Sequence, residues 1–68
     1  MLKDKFIFEE SDDPCMYDDQ YTLRANENIS IQVSDKYIVN RWAEEEETSY
    51  HEGQFNTLKD AMIKALHL

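Results

Sequence analysis

Cysteine, glycine and proline are each present only once in this chain of 68 residues. Because Cys15 has no partner for an internal disulfide, the chain lacks the covalent staple of small secreted domains, and a reducing compartment is expected. A single glycine, Gly53, excludes a Gly-rich phosphate-binding loop. No apolar run approaches the roughly 18 residues that span a bilayer, and no apolar signal segment follows the basic start of the chain. These absences predict a cytoplasmic protein that is held together by its noncovalent core alone.

Basic residues are scarce as well. Seven lysines and arginines stand against fifteen aspartates and glutamates, which gives a net charge of −8. Because neutralising phosphates requires clustered Lys and Arg, direct binding to nucleic acids or to anionic membranes is disfavoured. A basic protein surface would instead be attracted over long distances, with association rates that fall as salt rises. The charge balance therefore predicts a basic protein partner.

The remaining composition is typical of a folded domain. Apolar residues make up 41% of the chain and aromatic residues 12%, whereas disordered acidic tails lack such a content. At this length one domain, residues 1–68, is expected, with a radius of gyration of roughly 11 Å. Any cleft in so small a domain has to be shallow or shared with another subunit.

Alternating apolar and polar residues predict an antiparallel meander. The clearest pattern is Ile29, Ile31 and Val33 with small polar residues between them. Weaker patterns predict further strands near residues 5–9, 21–25, 37–42 and 48–52. The run Glu44–Glu47 would repel itself inside a strand pair, so it is predicted to form a hairpin tip.

The register of the hairpin formed by residues 29–34 and 37–42 stays open at this point. A two-residue turn would place Ile38 and Trp42 on the core side of the sheet, whereas a three-residue turn would place Tyr37 and Val39 there. Both faces of the second strand carry large apolar groups, which suits a central strand.

The last residues predict a C-terminal amphipathic helix. Thr57 and Asp60 have the spacing of a capping box. Apolar residues recur at helical spacing: Leu58, Ala61, Met62, Ala65 and Leu66. A lone helix of about 11 residues is marginal in water, so the stripe of Leu58, Met62 and Leu66 is expected to pack on the sheet. Gly53 is expected to mark a bulge or a strand exit. The predicted fold is α+β, with a meander of four to five strands and one C-terminal helix packed on one face.

Motifs for catalysis or metal binding are absent. Cys15 is flanked by aspartates, which disfavour the thiolate that a nucleophile needs. His51 and Glu52 are adjacent on a predicted strand, so they point to opposite faces and are poorly placed for acid/base catalysis. The aspartate pairs lack calcium-loop spacing, and no His or Cys pair has zinc-ligand spacing. We therefore expect no cofactor, no metal and no enzymatic activity.

The acidic residues form two segments, six of them between Glu9 and Asp19 and four in Glu44–Glu47. Their simplest interpretation is that of solubilising loops. A second interpretation is nucleic-acid mimicry, because a domain about 28 Å across matches a DNA stretch with on the order of 16 phosphates. If both segments lay at the same end of the meander, they would form one acidic patch.

Aromatic residues raise the question of a contact surface. Trp42, beside Arg41, is a candidate interface anchor, since Trp and Arg dominate binding energies at interfaces. The favoured interpretation is nevertheless that Trp42 belongs to the core. The four tyrosines would indicate a partner only if they clustered on the sheet face without a helix.

In size, acidity and lack of catalytic motifs the chain resembles, as a class, the small inhibitors of phages and mobile elements, such as anti-CRISPR and anti-restriction proteins. No motif aligns with a family, so no residue role is transferred. The resemblance implies a non-enzymatic inhibitor or modulator that occupies the basic, nucleic-acid-binding surface of a larger enzyme or complex. The predicted contact residues are Asp12, Asp13, Asp18, Asp19, Trp42, Glu44, Glu45, Glu46, Glu47 and Tyr50. The alternative is a structural or assembly subunit that forms a homo-oligomer, such as a homodimer, through an edge strand or the back of the helix at Ile63.

Overall fold

The computed structural model describes residues 1–10 and 19–68 and shows a five-stranded antiparallel sheet with one C-terminal helix. The strands follow chain order across the sheet: β1 Phe6–Glu9, β2 Asp19–Leu23, β3 Ile29–Val33, β4 Tyr37–Ala43 and β5 Thr48–Phe55. A 3-10 turn, Leu2–Lys5, precedes β1, and the helix α1 comprises Leu58–Leu66. The predicted α+β meander is confirmed, and the radius of gyration is 11.4 Å.

The helix packs on one face of the sheet, which we call the helix face; the other is the open face. The buried core lies between the helix face and α1: Phe6, Leu23, Ile29, Ile31, Val39, Ala61, Met62 and Ala65. The helix therefore contacts the sheet through Ala61, Met62 and Ala65, whereas Leu58 is half-buried and Leu66 exposed. The predicted stripe of Leu58, Met62 and Leu66 was therefore only partly correct, because Met62 is buried as expected but Leu66 is exposed, and small alanines lie on the side that approaches the strands.

The start of the helix follows the predicted capping. Thr57 is the N-cap residue, and its hydroxyl accepts a hydrogen bond of 3.2 Å from the Asp60 backbone N–H. This bond satisfies one of the amide groups that the first helical turn leaves without a partner.

The hairpin between β3 and β4 has the register of a three-residue turn. Val33 pairs with Tyr37, and Ile31 pairs with Val39. Because side chains alternate along a strand, Tyr37, Val39 and Arg41 lie on the helix face, while Ile38 and Trp42 lie on the open face. This register places Trp42 on the open face of the sheet.

The last strand contains the predicted bulge at Gly53. Val39 pairs with Gly53 but its neighbour Asn40 pairs with His51, so Glu52 is the extra residue of the bulge. A Cβ atom at Gly53 would lie 3.0 Å from the ring of Phe55, so a larger residue here would require that ring to shift. The bulge points Glu52 toward the side chain of Arg41.

Candidate interaction surface

The hairpin tip between β4 and β5 consists of Glu44–Glu47, as predicted. Backbone bonds close the turn, from the N–H of Glu46 to the carbonyl of Ala43 at 3.2 Å and from the N–H of Glu47 to the carbonyl of Glu44 at 3.3 Å. All four glutamates are exposed. Among the described residues, no Lys, Arg or His side chain forms an ion pair with them. The tip is thus a compact group of uncompensated carboxylates.

The last residue of the tip has a backbone conformation that is unfavourable for glutamate. Glu47 has a φ angle of 52°, in the left-handed region. A side chain there costs roughly 1–2 kcal/mol, and glycine or asparagine is the usual choice. Local backbone strain of this kind recurs at functional sites. Folding stability alone therefore does not explain why this turn contains four consecutive glutamates, one of which is in the left-handed region.

A chain of polar contacts braces the tip from the helix face. The hydroxyl of Tyr50 donates a hydrogen bond to the carboxylate of Glu46. The guanidinium of Arg41 lies 5.0 Å from the centre of the Tyr50 ring, and its Nε donates to Glu52 at 3.2 Å. This chain of contacts ties the tip to β4 and β5.

A shallow cleft of about 390 Å³ opens beside this chain, between the tip and the turn that precedes β3. Its walls are polar and include Asn28, Arg41 and Glu44. Within the described part of the chain, no three His, Cys, Asp or Glu side chains are grouped as a metal site would require. Among the residues that line the cleft, no nucleophile contacts a base. The cleft therefore presents a charged surface and no catalytic pair.

Trp42 lies on the open face and 44% of its surface is exposed. The favoured interpretation of Trp42 as a core residue was therefore wrong. The cause is the three-residue turn, which assigns the core side of β4 to Tyr37 and Val39 instead. The backbone N–H of Trp42 donates to the carbonyl of Asn28 at 2.7 Å, and a single residue separates Trp42 from Glu44. The exposed indole and the acidic tip thus lie at the same end of the sheet.

The open face itself carries little positive charge. Arg41 is the only lysine or arginine within the five strands, and it lies on the helix face. Lysines are instead concentrated in the 3-10 turn and α1, where Lys3, Lys5, Lys59 and Lys64 accompany two aspartates. The two layers therefore differ in sign, and the sheet with its connections carries the negative charge.

The described ends of the first acidic segment, Glu9 and Asp19, lie at the end of the sheet opposite the tip. Successive connections of an antiparallel meander alternate between its ends. The first segment leaves β1 at Glu9 and enters β2 at Asp19, away from the tip. The condition for one continuous acidic patch is therefore not met by the described residues. Asp12, Asp13 and Asp18 lie outside the described residues, as do Cys15 and Tyr17.

The described tyrosines do not cluster on the open face. Tyr21 and Tyr37 are half-buried beside the core, and Tyr50 braces the tip from the helix face. Tyr50 and Trp42, both predicted as contact residues, thus lie on opposite faces of the sheet. His51 is exposed on the open face while Glu52 binds Arg41, so these neighbours do not form an acid/base pair.

Comparison with protein-family models, with curated proteins and with solved structures gives no match for this chain. In the described part of the chain, no helix is both long and apolar enough to cross a bilayer. The surface is therefore interpreted from its own geometry.

Proposed function

We propose that this chain is a non-enzymatic binding protein whose acidic tip and Trp42 together occupy a basic surface of a larger protein. One observation carries the proposal. An exposed tryptophan lies beside four exposed glutamates that have no ion-pair partner among the described residues, on a sheet face without lysine or arginine.

The two parts of this surface have different roles. Trp is among the residues that contribute most binding energy when an interface buries them, so Trp42 is the anchor. The glutamates of the tip form the charged rim, which steers a basic partner and raises the association rate. Because Tyr50 and Arg41 already hold the tip, little further ordering is required on binding.

The charge density of the tip favours a nucleic-acid-binding surface as the target. Four consecutive residues span at most about 13 Å when extended, and the closed turn is shorter, so the tip concentrates four charges within that distance. Duplex DNA presents one charge per about 1.7 Å of axis. A cleft that normally binds phosphates would therefore accept the tip as a partial substitute. The protein would act as an inhibitor or modulator of that cleft, in the manner of small phage-encoded inhibitors.

Competition with DNA tests this proposal. The chain is immobilised, proteins of the source organism are captured at low salt, and short duplex DNA is then added at constant ionic strength. We expect DNA to release the captured protein, because both ligands use the same basic cleft. A wash with sodium chloride at matched ionic strength is the control. Release that is equal with and without DNA would contradict the proposal.

A further inference from the structure

The two edge strands of the sheet are protected to different degrees against pairing with a further strand. The outer strand β5 carries the bulge at Glu52 and Gly53, a feature that discourages pairing with another strand. The opposite edge strand, β1, has no register shift and no lysine within it. Its Ile7 and Phe8 are 43% and 49% exposed, one on each face of the sheet. Within residues 1–10 and 19–68, β1 is therefore the edge strand that is open to further pairing.

The hydrogen bonds of β1 show which of its backbone groups point outward. The N–H of Arg24 donates to the carbonyl of Lys5 at 2.9 Å, so Lys5 is bonded toward β2. In an antiparallel pair the bonded residues alternate, and Ile7 and Glu9 therefore also face β2. The N–H of Phe6 donates to the carbonyl of Lys3 in the 3-10 turn, whereas the carbonyl of Phe6 and both the N–H and the C=O of Phe8 point to the free edge. Among the described residues, β1 pairs with β2 only.

We propose that β1 pairs with β1 of a second copy of this chain, antiparallel and centred on Ile7. The segment Lys5–Glu9 begins with a positive side chain, ends with a negative one and is apolar between them. Pairing about its centre places Phe6 opposite Phe8 of the second copy, so that the N–H of each Phe8 can donate to the Phe6 carbonyl of the other chain. It also places Lys5 opposite Glu9 of the second copy, twice in the dimer.

The register follows from this complementarity. A shift by one residue would set outward groups against groups already bonded to β2. A shift by two residues would set Phe6 against Phe6 or Phe8 against Phe8 of the second copy and would remove the pairing of Lys5 with Glu9. In the centred register, Phe8, which already contacts Tyr21 with ring centres 4.9 Å apart, is covered beside Phe6 of the second copy. The result is a continuous sheet of ten strands that leaves both acidic tips exposed at the outer edges.

Sedimentation of charge variants tests both the dimer and its register. We expect the unmodified chain to dimerise, and Lys5→Glu and Glu9→Lys each to weaken the dimer by about tenfold, because attractive pairs become repulsive. Mixing the two variants should restore a heterodimer, since each repulsive pair then becomes attractive. The double variant should dimerise like the original. A monomer at all concentrations would overturn the proposal, and a mixture that stays monomeric would overturn the register.

Blocking the backbone gives a second test. Phe8→Pro removes an outward N–H that the folded monomer does not use, and proline is tolerated in this position of an edge strand. Phe8→Ala shortens the same side chain but keeps the N–H. We expect the proline variant to be monomeric while its circular dichroism shows an intact fold, and the alanine variant to retain part of the dimer. Equal dimerisation of the two variants would rule out pairing through this edge.

Discussion

Replacing Ile31 by alanine is expected to lower the free energy of unfolding by about 2–5 kcal/mol. The side chain of Ile31 has no exposed surface. It lies on the central strand between Tyr21 and Val39, beneath the helix. Small domains have a total stability of roughly 0.05–0.15 kcal/mol per residue, so this loss is a large part of the whole. The melting temperature should fall by roughly 10–30 °C.

Thermal unfolding of the Ile31→Ala variant, measured beside that of an Ile63→Ala control, tests this prediction. Ile63 is a residue of the same type on the outer side of α1, 38% exposed. Its replacement should cost under about 1 kcal/mol, because little apolar surface is uncovered. Equal destabilisation by the two substitutions would show that the core does not lie between the sheet and the helix as described.

Replacing Trp42 by alanine is expected to weaken binding of the captured partner by about 30-fold or more. This factor corresponds to the loss of about 2 kcal/mol or more that defines a dominant interface residue. The stability of the fold should change far less than for Ile31, because the indole lies on the open face and does not belong to the buried core.

Equilibrium binding to the purified partner and thermal unfolding together separate the two possible roles of Trp42. Ile63→Ala again serves as the control, since Ile63 is exposed to a similar degree but on the opposite layer of the molecule. An affinity that is unchanged for Trp42→Ala would remove the anchor from the proposed function. A severe loss of stability would instead assign Trp42 to the core.

The fold was predictable because each element has a local signal. Ile29, Ile31 and Val33 alternate with small polar residues, and the sequence after Thr57 has both a cap and a helical period. The 3-10 turn before β1 lacks such a pattern and was not predicted. The second strand ends at Leu23 and not at residue 25, because the backbone N–H of Asn26 donates to the Leu23 carbonyl and closes the turn earlier.

The candidate surface was harder to derive, since it depends on turn geometry. The position of Trp42 was decided by one residue of register, which the sequence left open. The bracing of Glu46 by Tyr50 depends on the hairpin register that pairs Tyr50 with Arg41, and no single sequence motif indicates that register. The position of Glu9 and Asp19 away from the tip, in contrast, follows from the meander alone, because connections alternate between its ends.

In the proposed function, the position of the tip, and not the net charge of the chain, captures the partner. The most direct test compares two double charge reversals that alter the net charge equally. Glu45→Lys with Glu46→Lys changes the tip, while Glu10→Lys with Asp35→Lys changes exposed residues at the other end of the sheet. Titration calorimetry with the purified partner should show binding lost for the tip variant and largely retained for the other. Equal loss for both variants would contradict the account.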